Sequence, residues 1–260
     1  MFFLLQKENR NDTDYYILKE TLDGTFHDYE ELSINAFKND NGELKNKNDF
    51  PKSYQDAIPL GTINFVTAFL NIFKNIEKMN PIEIPKCLRT NEFLKRKYSI
   101  QKGENLPPKG RYFIKNASNL KTFSYQGPLE YLPYDEMSCI VPNDFYQLSE
   151  IVNILSEYRV YIVDGEVYAI SHYDGNPSIF PDVNLIKKAN LIYSTQPDYP
   201  RSYTMDIMVN EKGTSILEIH PLFSCGLYTT LLSDNFLYGY KDSLDYITKY
   251  NTQIEEFSNF

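Results

Sequence analysis

The chain has 260 residues, of which 42% are hydrophobic, and its formal net charge is −9. This length accommodates two lobes with a packed core, and the hydrophobic content excludes global disorder. A chain this acidic lacks the broad positive field that nucleic-acid binding requires, so we do not expect a nucleic-acid partner.

The first half of the chain is predicted to contain short strands and helices joined by loops. The apolar run Phe2–Leu5 predicts an opening strand, and residues 39–49, rich in Asn, Lys and Gly, predict a loop. Apolar spacing after Thr62, its expected N-cap, predicts a buried helix over residues 63–73. Further predictions are a strand over 81–85, a polar helix over 90–98, a strand over 111–115, a loop around Gly127 and Pro128, and a helix from Asn143 or Asp144 to Ile154.

Two hairpins stand out in the second half. Residues 157–163 and 166–173 flank Asp164-Gly165, a strong signal for a two-residue turn, and residues 203–209 and 215–220 flank a second turn. Asp234 is the expected N-cap of a closing helix that runs to Tyr246. The alternation of hairpins and helices predicts an α+β fold with a largely antiparallel sheet.

The second hairpin places two carboxylates together. If its turn is centred on Lys212, Asp206 and Glu218 lie directly opposite each other, with Cβ atoms about 5 Å apart. Two carboxylates so close repel each other unless a cation lies between them, and hard oxygen ligands at this spacing suit Mg²⁺. Two exposed carboxylates on a solvated sheet face remain the alternative interpretation.

Three cationic side chains are candidates for binding phosphate. Arg159 shares a strand face with Glu157, and its guanidinium is suited to a phosphate or a carboxylate. Lys115 ends a predicted strand, and Lys121 follows after a polar loop, so the two lysines together can neutralise two nucleotide phosphates. A surface ion pair for Arg159 and ordinary surface positions for the lysines remain open alternatives.

Taken in order, these segments resemble the ATP-grasp superfamily, and more specifically its clade named after one arginine and two lysines. The resemblance covers residues 80–250, and most firmly those after 110. It is carried by the following segments: Phe113-Ile-Lys115, Lys121-Thr-Phe123, Glu157 to Gly165, Asp206, and Glu218 to Tyr228.

The resemblance implies a role for each matching residue. Lys115 is expected to contact the nucleotide between two sheets, and Lys121 to lie on the loop that covers the phosphates. Arg159 is expected to reach the γ-phosphate or an acyl-phosphate intermediate, so that Arg159 and Lys121 are the catalytic residues, with Glu157 counted among those that bind the nucleotide. The metal ligands are expected to be Asp206, Glu218 and His220, which together would hold Mg²⁺.

His220 departs from the family pattern. An Asn usually stands two residues after the metal-binding Glu, and imidazole matches Mg²⁺ less well than an amide oxygen does. A hydrogen-bonded strand histidine without a metal role is an equally open interpretation.

The resemblance also implies an architecture and a reaction. We expect two α+β lobes with ATP between antiparallel sheets over residues 81–260, preceded by a small N-terminal α/β substrate domain over residues 1–80. The implied reaction joins a carboxylate to an amine, each a small molecule or peptide, through an acyl phosphate. Arg159→Ala is expected to reduce turnover greatly while leaving the fold intact.

Two other functions are considered. One is a non-catalytic nucleotide-binding homologue, which the replacement at His220 motivates. The other is a nucleotidyltransferase that forms a lysyl-AMP on Lys115, although Ala117 and Ser118 stand where such ligases carry an acidic residue and a glycine.

Cysteine usage and hydropathy indicate the compartment. Cys87, Cys139 and Cys225 form no CxxC pair, which argues against a disulfide framework or a structural zinc site and fits a reducing cytoplasm. No apolar run approaches the length of a membrane span, so no membrane partner is expected.

Overall fold

The structure is a computed structural model that describes residues 1–9, 12–118, 122–229, 232–250 and 257–258. Its strands are Phe2–Gln6 (β1), Asp28–Leu32 (β2), Ile58–Leu60 (β3), Tyr98–Lys102 (β4), Arg111–Asn116 (β5), Ser124–Pro128 (β6), Phe145–Glu150 (β7), Ser156–Val163 (β8), Glu166–Gly175 (β9), Tyr203–Asn210 (β10), Gly213–Pro221 (β11) and Phe257–Ser258 (β12). Its α-helices are Thr13–Asp23 (α1), Ile63–Lys74 (α2), Asn91–Leu94 (α3), Tyr134–Met137 (α4), Val183–Ser194 (α5) and Asp234–Lys249 (α6). The 3₁₀ helices are Lys7–Asn9, Ile34–Phe37, Lys47–Asp49, Lys52–Asp56, Lys86–Leu88, Gly103–Asn105, Leu129–Tyr131 and Leu222–Ser224.

The described strands form three sheets. A three-stranded sheet has the order β2-β1-β3, and both of its pairings are parallel. A four-stranded sheet has the order β11-β10-β8-β9, and a five-stranded sheet has the order β12-β4-β7-β5-β6; every pairing in these two is antiparallel. The expected α+β class, with largely antiparallel sheets, is confirmed.

The parallel sheet is built from the N-terminal segment. The apolar run of β1 is buried on both faces, as central parallel strands are. Helix α2 begins where predicted, because the Thr62 hydroxyl accepts a hydrogen bond from the backbone N–H of Phe65. It ends at Lys74, and the C-cap that follows, Asn75, has a left-handed backbone with φ of 57°. Phe3 and Phe65 belong to the same hydrophobic cluster as residues of the four-stranded sheet, such as Val160.

The first predicted hairpin is confirmed. Val163 pairs with Glu166, and the two residues between them, Asp164 and Gly165, have φ of 51° and 83°. Positive φ at both central positions defines the turn type whose twist matches that of the flanking strands. The hairpin therefore fixes the pairing of β8 with β9 next to the turn, and a bulge between Tyr161 and Ile162 shifts the register by one residue before Arg159, which pairs with Ser171.

The five-stranded sheet separates a small core from a cleft. On β5 and β7, Ile114, Tyr146 and Leu148 face a satellite hydrophobic cluster. The alternate residues, among them Lys115 and Gln147, face the four-stranded sheet across the cleft.

The helix predicted over residues 143–154 was wrong, because these residues form strand β7 and a connecting segment. Tyr146 and Leu148 alternate with Gln147 and Ser149, a period of two that indicates a strand. The two residues that suggested a helix cap, Asn143 and Asp144, lie in the turn before the strand, where Asp144 accepts a hydrogen bond from the Asn116 side chain.

Other predicted elements also differ from the structure, some in type and some in their boundaries. Residues 81–85 form no strand in the described structure, because the flanking prolines cannot donate to a ladder. The helix predicted over 90–98 stops at Leu94, and Tyr98 already belongs to β4. The loop predicted at 127–128 belongs to edge strand β6, where a proline is tolerated. Finally, Ser233 is the N-cap of α6, while Asp234 bonds to His27 at 2.7 Å.

Two further expectations concern the chain as a whole. Within the described ranges, no helix is both long enough and apolar enough to cross a bilayer. The boundary expected near residue 80 stays a prediction.

Candidate active site

The two carboxylates of the second hairpin lie directly opposite each other, as expected. Asp206 pairs with Glu218 across β10 and β11. The turn was expected to be centred on Lys212. Because Asn210 pairs with Gly213, its centre lies between Glu211 and Lys212, half a residue earlier. A β-bulge between Asp206 and Ile207 shifts the register by one residue, and this shift places Glu218, instead of Leu217, across from Asp206. The bulge is thus what brings the two acids together.

Arg159 lies on the neighbouring strand β8, paired with Asp206. Its Nε and Nη2 donate to the two carboxylate oxygens of Asp206, both at 2.8 Å, and its Nη1 donates to the carbonyl oxygen of Gly226 at 2.9 Å. Only 9% of the Arg159 side chain and 5% of the Asp206 side chain are exposed. The guanidinium is therefore held by a buried, bidentate ion pair and not by a surface one.

Lys115 extends from β5 across the cleft to the acids. Its Nζ lies 3.3 Å from Glu218 Oε1 and 3.9 Å from Glu83 Oε1. Burial would lower the pKa of the Lys115 amine, but the two carboxylates outweigh it and raise that pKa above its usual value. Burial alone would likewise raise the pKa of Glu218, yet Lys115 and His220 hold it well below its usual range. Both groups are charged at neutral pH.

Three side chains form a cluster with metal-ligand spacing. Asp206, Glu218 and His220 each offer a ligand atom, and these atoms lie within 4.8 Å of one another. The two carboxylates supply the hard oxygen donors that Mg²⁺ prefers. His220 Nε2 instead lies 2.7 Å from Glu218 Oε2, and its Nδ1 is buried without a hydrogen-bond partner among the described residues. A ligating histidine is normally fixed through its other ring nitrogen, so the acids fit Mg²⁺ better than His220 does.

These groups line a cleft of about 540 Å³ between the two antiparallel sheets. Tyr173 and Tyr228 stack on each other with ring centroids 5.1 Å apart. The Arg159 guanidinium lies 5.5 Å from the first ring centroid and 5.1 Å from the second. The rings hold the guanidinium by cation–π contact and restrict its movement.

A second pocket of about 200 Å³ adjoins the cleft, sharing Phe113 and Glu218 with it. Its walls are largely apolar and include Val152 and Met208, and residues 151–154 pass along it as they connect β7 to β8. The pocket has the size and the wall chemistry for a flat aromatic group.

Glu157 lines this second pocket and accepts a hydrogen bond from the Tyr173 hydroxyl. Burial raises the pKa of the Glu157 carboxyl, and the negative charge of nearby acids such as Asp174 raises this pKa further. The hydrogen bond from Tyr173 opposes the increase. Of the remaining predicted residues, Lys121 lies outside the described residues.

Three residues at the site escaped the sequence reasoning. Glu83 was assigned to a strand that does not form, and Gln147 to a helix that is a strand. Tyr173 lies at the end of a correctly predicted strand, but nothing in the sequence indicates that its ring packs on Arg159. The alternation in residues 145–150 is the signal that identifies Gln147, which shares a strand face with Ser149.

More than half of the chain matches a known protein family. The family model that matches residues 93–237 of the 260 describes an ATP-grasp domain, and it is the second family of the clade named after one arginine and two lysines. The search of curated protein sequences found no significant match.

Several solved structures are similar over nearly their full length. D-cycloserine synthetase DcsG has a TM-score of 0.51 at 10% identity, covering 95% of this chain and 99% of that chain. The ATP-grasp ligase PsnB complexed with minimal precursor has a TM-score of 0.50 at 11% identity, covering 93% and 98%. D-alanine–D-alanine ligase from Bacillus anthracis complexed with ATP has a TM-score of 0.46 at 12% identity, covering 95% and 96%. At such identities the first two likenesses show the fold alone, and they confirm the fold expected from the sequence.

Proposed function

Since the chain belongs to the second family of this arginine-and-two-lysine clade of ATP-grasp domains, we propose that it is an ATP-dependent ligase that joins a carboxylate to an amine through an acyl phosphate. ATP-grasp ligases use ATP and Mg²⁺, which confirms the two cofactors expected from the sequence. The observation that carries the proposal is the grouping of Arg159, Lys115, Asp206 and Glu218 in one cleft between two antiparallel sheets. This arrangement supplies both the cations that bind phosphate and the carboxylates that bind a metal.

The two neighbouring pockets differ in size and wall chemistry, and this difference indicates which part of the nucleotide each one binds. The apolar pocket beside residues 151–154 suits the adenine ring, and the larger cleft suits the triphosphate. Lys115 lines the larger cleft and would reach the phosphates from β5. Lys121 and Glu157 are assigned to nucleotide binding as part of the same proposal.

Asp206 and Glu218 would hold Mg²⁺, with His220 beside them. Bound there, the metal would neutralise phosphate charge that the lysines do not reach. The carboxylates would then no longer need the protein cations as their counter-ions. Arg159 and Lys115 would be released to interact with substrate.

The proposed reaction consists of two displacements. A substrate carboxylate oxygen attacks the γ-phosphorus of ATP, the bond to the β-phosphate oxygen breaks, and ADP leaves with that electron pair. The amine nitrogen of the second substrate then attacks the acyl carbon, inorganic phosphate leaves, and the nitrogen loses a proton to form the amide. Arg159 stabilises the negative charge that develops on the transferring phosphoryl group. The two sheets exclude the water that would hydrolyse the acyl phosphate.

The nucleotidyltransferase alternative is disfavoured by the environment of Lys115. A lysine that attacks the α-phosphorus must be deprotonated. Here Glu218 and Glu83 raise the pKa of the Lys115 amine despite its burial. The amine therefore carries its proton at neutral pH and is a poor nucleophile.

The proposal is tested by trapping the acyl phosphate. Hydroxylamine replaces the unknown amine, and a panel of amino acids, peptides and simple carboxylic acids is offered with ATP and Mg²⁺. An acyl phosphate then yields a hydroxamate, which an iron(III) solution detects by colour, together with one ADP per product. We expect at least one carboxylate class to give both products in equal amounts.

The control variants separate the site from the fold. Glu218→Gln keeps the shape of the side chain but removes a charge that the metal requires, so hydroxamate formation should fall by about a hundredfold or more. Glu92→Gln removes a half-exposed carboxylate that does not line the cleft and should leave hydroxamate formation unchanged. If the wild type binds ATP but gives no hydroxamate with any carboxylate, the non-catalytic homologue is the better description.

A further inference from the structure

The guanidinium of Arg159 has two donors available in the cleft. A guanidinium has five N–H donors. Three of those on Arg159 are engaged, because Nε and Nη2 donate to Asp206 and Nη1 donates to the Gly226 carbonyl oxygen. One N–H remains on Nη1 and one on Nη2, and no residue in the described part of the chain accepts from them, although only 9% of the side chain is exposed. These two N–H groups suit the carboxylate of a substrate.

The ring of Tyr228 lies beside this guanidinium and is half exposed. The guanidinium carbon is 5.1 Å from the ring centroid, and Tyr228 is 50% exposed while it lines the cleft. One face of the ring stacks on Tyr173 at an interplanar angle of 17°. The exposed half of the ring is therefore available to a ligand whose carboxylate binds Arg159.

Hydrogen bonds fix the segment that carries this ring. The Tyr228 backbone N–H donates to the Tyr161 hydroxyl at 2.8 Å, and that hydroxyl donates to the Gly226 carbonyl oxygen at 3.2 Å. The Leu227 N–H donates to both oxygens of Asp14, at 3.0 Å each. The ring is thus held in place before a ligand binds, and stacking on it costs little conformational entropy.

The apolar surface of the cleft is mainly aromatic. Phe113 of β5 and Phe123, just before β6, line it with Tyr228 and Pro81. None of its described lining residues is Val, Leu, Ile or Met. Aromatic rings pair in offset-stacked or edge-to-face arrangements that are more favourable than the buried area alone implies. Such walls therefore favour a flat aromatic ligand over an aliphatic one of the same size.

We infer that the carboxylate partner of the reaction is an aromatic acid, whose ring stacks on Tyr228 while its carboxylate binds the two available N–H groups of Arg159. The base of ATP does not need this ring, because the separate apolar pocket of about 200 Å³ suits it. The short distance between guanidinium and ring favours an acid whose ring is attached close to the carboxyl group. The role of this acid as a substrate rests on the proposed ligase function, but its binding does not.

The test uses three small probes. Benzoate has the ring and the charge, cyclohexanecarboxylate has the charge and a body of similar size without a π face, and benzamide has the ring without the charge. Ligand-observed NMR titrations measure their affinities for the full chain with Mg²⁺ and a non-hydrolysable ATP analogue present. Benzoate is expected to bind about three- to tenfold more tightly than cyclohexanecarboxylate. It should bind about tenfold or more tightly than benzamide, because benzamide cannot form a charged hydrogen bond with Arg159.

Matched variants locate the ring of the bound acid. Tyr228→Phe keeps the aromatic face and should keep the preference for benzoate over cyclohexanecarboxylate. Tyr228→Leu keeps an apolar side chain without that face and should abolish the preference. Tyr238→Leu is the control, because Tyr238 is 47% exposed but lines a different cavity, and it should leave the preference unchanged. Thermal unfolding of each variant verifies its fold.

The outcomes separate this inference from the proposed function. A benzoate preference that depends on Tyr228 supports the aromatic site even if no hydroxamate is ever formed. Hydroxamate formation with equal kcat/KM for benzoate and cyclohexanecarboxylate supports the ligase and overturns the aromatic site. Equal affinity of the wild type for the two acids, no binding of either, or a benzoate preference that persists in Tyr228→Leu also overturns it.

Discussion

The buried ion pair between Arg159 and Asp206 makes a quantitative prediction about stability. Two hydrogen bonds of 2.8 Å join side chains that are 9% and 5% exposed, and the Gly226 carbonyl adds a third bond to the guanidinium. Removing one partner of such a pair leaves an uncompensated buried charge, which costs about 3–5 kcal/mol. Arg159→Met and Asp206→Leu should each lower the free energy of unfolding by this amount.

The double variant is expected to recover most of the loss. With both charges replaced by apolar side chains of similar volume, neither group remains buried without a partner, and such replacements are often close to neutral. The free energies are measured by urea denaturation with EDTA present, so that no metal compensates for a missing partner. The double-mutant cycle should give a coupling energy of about 3 kcal/mol or more.

A surface pair provides the matched control. Lys188 and Glu92 approach to 2.6 Å, but their side chains are 53% and 50% exposed. Each single replacement there should cost less than about 1 kcal/mol. Additive losses for Arg159 and Asp206, or losses no larger than those of the control, would refute the reasoning. The predicted loss also changes how an Arg159→Ala variant is interpreted, since low turnover then has to be separated from unfolding.

Three further variants address single groups in the cleft. Lys115→Met should weaken binding of an ATP analogue by about tenfold or more in calorimetry. Lys188→Met, which replaces an exposed lysine, should leave this affinity unchanged. If Lys115→Met binds the analogue as tightly as the wild type, Lys115 is not part of the nucleotide site. His220→Asn keeps a polar partner near the acids and should retain Mg²⁺-dependent binding, so a complete loss would assign the metal to the imidazole. Tyr228→Phe should preserve the contact of the ring with Arg159, whereas Tyr228→Ala should remove it. Only the alanine variant should therefore raise the KM for the carboxylate in the hydroxamate assay. An equal rise in both variants would assign the effect to the Tyr228 hydroxyl.

The sequence predicted the four-stranded sheet, β11-β10-β8-β9, better than the rest of the molecule. Asp164 and Gly165 dictate a two-residue turn by their backbone preferences alone, so the hairpin and the pairing next to its turn could be predicted from local chemistry, whereas the bulges farther along β8 could not. The pairing of Asp206 with Glu218 was also anticipated, although it depends on a bulge that spacing does not reveal. Local turn chemistry and family resemblance together were enough for this part of the site.

The elements on the opposite side of the cleft were less predictable. Strand β7 is buried by long-range pairing with β4 and β5, and its alternation was outweighed by the cap-like residues before it. Glu83 reaches Lys115 only because two segments far apart in sequence meet in space. Contacts of this kind depend on tertiary packing, which periodicity and capping rules do not describe.

The most direct test of the account is calorimetric titration of a non-hydrolysable ATP analogue, with and without Mg²⁺, into the wild type and Glu218→Gln. If the cleft is a nucleotide site, the wild type binds tightly with Mg²⁺ and weakly without it, and the variant loses most of the difference. Absence of binding in a folded wild type, or identical Mg²⁺ dependence in both proteins, would contradict the account.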